Sequence, residues 1–238
     1  QKNWKWNKMR PINKGKAPYA SISKYGDALP FLEDAIGSYC SYCGLPLDHV
    51  PEIEHVVSKS KNRELATVWD NLLLGCKYCN ARKSDTVCVE NMDAYLWPDK
   101  YNTALAYTYE YGIPSIHENA LNQVDPSGAA YEKAKNLFDL VKLGNVTDRR
   151  TKKRNEAYQT ACIAKSRWQK NRFGEMKEQI IDTARYSGFF SVWADVFWDE
   201  PEILNALIDV FPGTERTFFD ADGHPKPILT REHVAETG

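Results

Sequence analysis

Two Cys-x-x-Cys pairs, Cys40/Cys43 and Cys76/Cys79, bracket a Glu54-His55 step, and the second pair runs directly into Asn80. Thiolates two residues apart can bind one metal ion from a single turn, and two such turns complete the tetrahedron that zinc adopts. Cys40, Cys43, Cys76 and Cys79 are therefore expected to hold a structural Zn2+. The rival reading, redox-active or merely buried thiols, is weak for two separate pairs. The pairs stand farther apart than in a minimal zinc ribbon, so a functional insert lies between them. A carboxylate, an imidazole and an amide between and beyond the knuckles are the groups a metal-dependent hydrolase needs.

The elements that must position these groups are short. Residues 27–36 read as a helix ended by Gly37, and Pro51 to Val57 reads as a strand through its β-branched Ile53, Val56 and Val57. Residues 68–74 make a turn and strand into the second knuckle, and residues 78–85 begin a helix carrying Asn80, Arg82 and Lys83. A hairpin, a zinc clasp and a helix of this size cannot hold on core burial alone, which gives the zinc a structural purpose. From about residue 126 the texture is helical. Apolar residues recur at helical spacing from Ala130 to Val141, a basic helix is expected from 147 or 148 to about 172, and shorter helices over 175–186, 189–198 and 201–210. The expected fold class is α+β, mainly α. Its divisions are a basic extended N-terminal arm (1–26), a zinc-stapled ββα unit (27–100), a linker (101–125) and a helical domain (126–238).

The formal net charge of −1 hides an uneven distribution. Residues 1–26 carry seven Lys or Arg and no acid, residues 148–172 nine basic residues, and residues 175–222 eleven acidic ones. Basic segments can grip a polyanion locally, so 149–154 and 165–172 are candidate nucleic-acid contacts, against the reading of a solvated helix face. The acidic stretch reads as a partner-docking surface. Trp4 and Trp6 among lysines could stack on bases. Trp193, Phe197 and Trp198 read as core, and Cys88 and Cys162 as ordinary thiols. No apolar run reaches membrane-spanning length, and the expected compartment is cytoplasmic. Gln1 is not an initiator, so Met9 or an upstream residue is the expected start.

The run from Cys40 to Lys83 resembles HNH nucleases of the ββα-metal class that carry a zinc clasp. The resembling pieces are the two knuckles, Glu54-His55, Asn71 and Asn80-x-x-Lys83. The resemblance implies phosphodiester hydrolysis with His55 as general base. It implies Glu54 and Asn80 as ligands of a catalytic divalent ion, and Asn71 as the brace of the loop that orients the base. Glu54 stands where Asp is more usual and Asn80 where His is. Both keep oxygen donors, which favours Mg2+ or Mn2+. Arg82 and Lys83, just after a ligand near a helix start, are candidate substrate contacts.

The lead-in from Met9 to Pro18, with the nuclease-like core and helical remainder, is similar to PtuB, the HNH component of Septu and retron-linked antiphage defence systems. That likeness implies an effector nuclease with a PtuA-type ATPase partner in a hetero-oligomer. It would admit a retron reverse transcriptase and its RNA/DNA product as further partners. The substrate would be DNA by default, or RNA such as a tRNA. Two readings from other classes stand beside it: a zinc-ribbon module that binds nucleic acid without cutting, and a structural adaptor.

Overall fold

The computed structural model describes residues 9–231. Trp4, Trp6 and His233 lie outside that range. The architecture is α+β and mainly α, with the cysteine-rich ββα unit near the N-terminus and helices after it.

Helix α1 (Leu29–Ile36) carries a proline in its first turn and ends at Gly37, whose φ of +70° favours glycine. The first knuckle follows. Strands β1 (Glu52–His55) and β2 (Leu72–Gly75) pair antiparallel, with Glu52 opposite Gly75, Glu54 opposite Leu73 and His55 opposite Leu72. Every β2 residue is buried, so its unbroken Leu72-Leu73-Leu74 run is covered on both faces. Helix α2 (Lys77–Lys83) follows at once, with Cys76 as its N-cap and the Cys76 Sγ 3.5 Å from the Cys79 amide. The second knuckle and the helix start are thus one piece of backbone, and Asn80 is placed by the same turn that places the thiols.

Residues 101–125, expected as a linker, are folded instead. Strands β3 (Tyr107–Glu110) and β4 (Ile113–Ile116) form a hairpin, and α3 (Glu118–Val124) follows it. The two-residue loop Tyr111-Gly112 has positive φ at both positions, the geometry that matches strand twist. The sequence cue for such a loop is Asn-Gly or Asp-Gly, and Tyr-Gly does not supply it. Asn102 to Tyr107 are buried, and Tyr107 donates to the Ala134 carbonyl.

Four of the remaining helices lie close to their expected spans: α4 (Ala129–Leu140), α5 (Arg149–Lys170), α6 (Gly174–Ser187) and α8 (Pro201–Val210). Helix α7 (Phe190–Val196) is shorter than expected. One core joins the ββα unit to the hairpin and α4 through Leu72, Leu74, Trp97, Tyr107 and Leu137. A second lies among α5 to α8 around Trp168, Trp193, Phe197 and Leu207. Trp193 and Phe197 stack at 6.2 Å, and Trp198 lies 4.1 Å from His224.

The segment from Met9 to Lys14 is no free arm. Ile12 donates to the Pro98 carbonyl and Asn13 to Gly213, while the Arg10 guanidinium bonds the Ile36 and Pro212 carbonyls. Lys14 reaches the Leu72 carbonyl at 2.8 Å and pairs with Asp99 at 3.1 Å. Its basic residues are consumed inside the fold. The helical region also grips the first knuckle: Phe189 donates to the Gly44 carbonyl at 2.7 Å. A Cβ at Gly188 would stand 2.7 Å from Pro46, so this approach requires glycine.

Candidate active site

The four cysteines are buried, and their sulfurs all lie within 4.8 Å of one another. A tetrahedron with metal–sulfur bonds of about 2.3 Å has edges of about 3.8 Å. The Cys43–Cys76 separation is 3.7 Å, which fits that edge and is far too long for a disulfide. Burial pushes the Cys40 and Cys79 thiols well above their usual range, while bonds from the other three cysteines pull Cys76 down. Ionising all four sulfurs in this interior would require a cation between them, so the cluster can serve as a metal clasp. Arg150, 1% exposed, adds an outer donor: its Nη1 lies 3.1 Å from the Cys79 Sγ and 3.0 Å from the Val141 carbonyl.

On β1, Glu52 and Glu54 share a face because strand side chains alternate. That face looks onto Gly75, where an added Cβ would lie 3.2 Å from the Glu54 Cβ and 3.8 Å from the Asn80 Cβ. The missing side chain lets β1 and α2 bring a carboxylate and an amide to one place. Asn80 Nδ2 donates to Glu52 Oε2 at 2.6 Å. A carboxylate can only accept from it, so this bond fixes the amide and leaves the Asn80 carbonyl oxygen for another partner.

Glu54 is 1% exposed and pairs with Lys83 at 2.9 Å, also 1% exposed. Tyr42 donates to the same oxygen, Oε1, at 3.4 Å. Burial raises the Glu54 pKa, against the opposing pull of Lys83 and Tyr42. Lys83 also donates to the His55 carbonyl at 2.6 Å.

His55 is 7% exposed, and its Nε2 lies 3.1 Å from the Ala66 carbonyl. A carbonyl only accepts, so Nε2 carries the proton and, in the neutral ring, Nδ1 is left as the acceptor. Burial lowers the His55 pKa; the Ala66 bond opposes this, and the charges of Lys59 and Lys83 add to it. The Tyr25 ring meets the imidazole edge-on at 4.9 Å. Asn71 ties the intervening loop at both ends. Its Oδ1 accepts from the Val57 amide at 2.7 Å, and its Nδ2 donates to the Val57 and Leu65 carbonyls at 3.0 and 3.1 Å. Leu65 precedes Ala66, so Asn71 holds the carbonyl that holds His55.

His55, Glu54, Asn80, Lys83 and Lys59 line one open cavity of about 290 Å3. Asn71 lines a different cavity, with Lys14, Val57 and Leu65. Arg82 and Lys83, expected as substrate contacts, are otherwise engaged: Arg82 pairs with Asp148 at 3.2 Å and bonds the Tyr78 carbonyl, and Lys83 is sealed against Glu54. Much of the basic helix is likewise structural. Arg150 serves the cysteine cluster, Arg154 is fully buried over the Tyr109 and Phe189 rings, and Lys165 and Arg172 pair with Asp199 and Glu200. Sequence reading passed over Glu52, Tyr42, Tyr25 and Lys59. Glu52 carried a signal, its two-residue offset from Glu54 on a strand; Tyr42 and Tyr25 come from more distant backbone and carried none, and Lys59, four residues after His55, reads in sequence only as part of a polar loop.

Among the described residues no helix is long and apolar enough to cross a membrane. No curated protein and no solved structure matches the chain. Residues 40–86, which hold both knuckles, β1, β2 and α2, match the HNH endonuclease family, so this stretch is an HNH endonuclease domain built around a four-cysteine cluster.

Proposed function

We propose that the chain is a metal-dependent endonuclease that hydrolyses phosphodiester bonds, with His55 as general base. The observation that carries this is the Nε2 bond of His55 to Ala66, which leaves Nδ1 as the acceptor of a ring that lines the cavity together with Glu54 and Asn80. In this reading His55 takes a proton from water at Nδ1, and its lowered pKa keeps it neutral and competent at physiological pH. Asn71 keeps the loop and its Ala66 carbonyl in place. The carboxylate of Glu54 and the carbonyl oxygen of Asn80 form a hard oxygen set suited to Mg2+ or Mn2+, and both protein donors to Glu54 fall on Oε1. Such an ion would neutralise charge on the departing oxygen. Cys40, Cys43, Cys76 and Cys79 would hold Zn2+ as a staple.

One observation favours the second reading, a zinc module that binds nucleic acid without cutting. Lys83 already neutralises Glu54, so the carboxylate has a partner before any ion arrives. The narrower reading, an antiphage effector with an ATPase partner, rests on the lead-in. Arg10, Ile12 and Lys14 of that segment have folding roles of their own, and Lys165 and Arg172 answer part of the acidic stretch. Co-purification of the chain with an ATPase encoded beside it tests that reading.

The deciding experiment incubates the protein with plasmid DNA and with total cellular RNA, in Mg2+ or Mn2+, against His55→Ala. Cleavage lost in the variant supports the nuclease, and the polymer consumed names the substrate. Wild-type protein that binds but never cuts supports the second reading.

A further inference from the structure

A phosphodiester brings a negative charge to the cavity, and the two cations expected to meet it are paired with Asp148 and Glu54. Lys61, on the same loop, pairs with Asp85 at 3.9 Å. Lys59 is different. It is exposed and lines the cavity that holds His55, Glu54 and Asn80. Among the described residues no carboxylate pairs with it. Its Nζ instead lies 2.9 Å from the Tyr25 hydroxyl and 4.3 Å from the centre of that ring. A neutral hydroxyl and a π-face orient an ammonium without cancelling its charge, which therefore stays available to an anion. The same ring packs edge-on against His55, so one aromatic side chain fixes the spacing between lysine and imidazole. Tyr25 comes from the turn before α1, 34 residues away in sequence, so the arrangement is tertiary.

We propose that Lys59 is the phosphate-binding residue of this cleft, with Tyr25 as its positioning residue, so that the nucleic-acid backbone is gripped on the His55 side of the cavity. The proposal rests on the nuclease reading above.

Binding is measured in a His55→Ala background, with a duplex DNA oligonucleotide and a transfer RNA as probes, between about 50 and 200 mM salt. Adding Lys59→Ala is expected to weaken binding of the probe that wild type cuts by roughly tenfold. The slope of log K against log salt should fall by about one, irrespective of sequence. Lys59→Arg should restore both. Tyr25→Phe keeps the ring on His55 but frees the ammonium; in the otherwise wild-type enzyme it should raise KM and leave kcat and its pH profile unchanged. If wild type cuts, His55→Ala does not, and Lys59→Ala leaves affinity and slope unaltered, the proposal falls and the nuclease reading stands. If Tyr25→Phe leaves KM unchanged, Tyr25 has no positioning role. If wild type neither binds nor cuts either probe, the nuclease reading fails and takes this proposal with it.

Discussion

Replacing Lys83 with Met, which keeps its length and removes its charge, probes the centre of the candidate site. Glu54 and Lys83 are each 1% exposed and 2.9 Å apart, so solvent screens little of their interaction. Without Lys83 the Glu54 carboxylate is a buried, unpaired charge. Its least costly escape is to take up a proton. Protonating a carboxyl of ordinary pKa 4.5 at pH 7 costs about 3.4 kcal/mol, at 1.36 kcal/mol per unit, and that caps the loss from Glu54. The lost bond to the His55 carbonyl adds about 1 kcal/mol. The sign with pH follows from linkage. In the variant the folded carboxyl titrates above its unfolded value, so between the two the folded state binds more protons and stability falls as pH rises. Urea unfolding of zinc-loaded wild type and Lys83→Met should therefore differ by up to about 4 kcal/mol at pH 7, and by less to the extent that burial already raises the wild-type Glu54 pKa. The difference should shrink to about 1–2 kcal/mol at pH 5, where the carboxyl is already close to neutral. Adding Glu54→Gln to Lys83→Met should recover most of the loss, because neither charge then remains buried. A difference that is flat in pH, or below about 1 kcal/mol at pH 7, would refute the claim that a buried ion pair sits at the heart of this site.

If the four cysteines hold zinc, a strong chelator should release one ion per chain and loosen the ββα unit, read by metal titration with circular dichroism, because four buried sulfurs would lose the partner they share. Arg150→Met should lower zinc affinity by about 10–100-fold in a competition assay while leaving all four sulfurs in place. Asn71→Ala should cost at least about 2 kcal/mol in unfolding, since three bonds to the backbone are lost, two of them buried, and should lower kcat more than it raises KM. In the nuclease reading the acidic limb of the pH–rate profile should lie below 6.5, because burial lowers the His55 pKa; a limb at or above 6.5 would count against His55 as the base.

The parts of the fold that were legible in the sequence are those whose signal is local. Knuckles, caps and helical periodicity lie within a few residues of one another, and α2, α4, α5 and α8 fall close to where pattern places them. The β3–β4 hairpin was not legible because its turn is Tyr-Gly and its strands are four residues each. The candidate site divides the same way. Glu54, His55 and Asn80 stand out by type and spacing, whereas Tyr25, Tyr42 and Lys59 matter only through contacts that the chain fold creates.

Charge is where local reading misled most, and the reason is general. A run of like charges along a chain is solvated only if folding brings nothing opposite to it. Here the basic end of α5 meets the acidic segment around the start of α8: Lys165 pairs with Asp199, Arg172 with Glu200, and the buried Trp168 indole also donates to Glu200. Lys177 pairs with Glu202 across α6 and α8. At the basic start of α5, Arg150 is spent on the cysteine cluster and Arg154 on two aromatic rings, while Arg149, Lys152 and Lys153 are exposed. Several of the charges that looked like a nucleic-acid grip and a docking face therefore hold the helical region to itself and to the metal clasp. A basic residue is informative about a polyanion only after its internal partners have been counted. Lys59, which lines the cavity with His55 and is bonded to a neutral hydroxyl, combines an uncancelled charge with a place at the site.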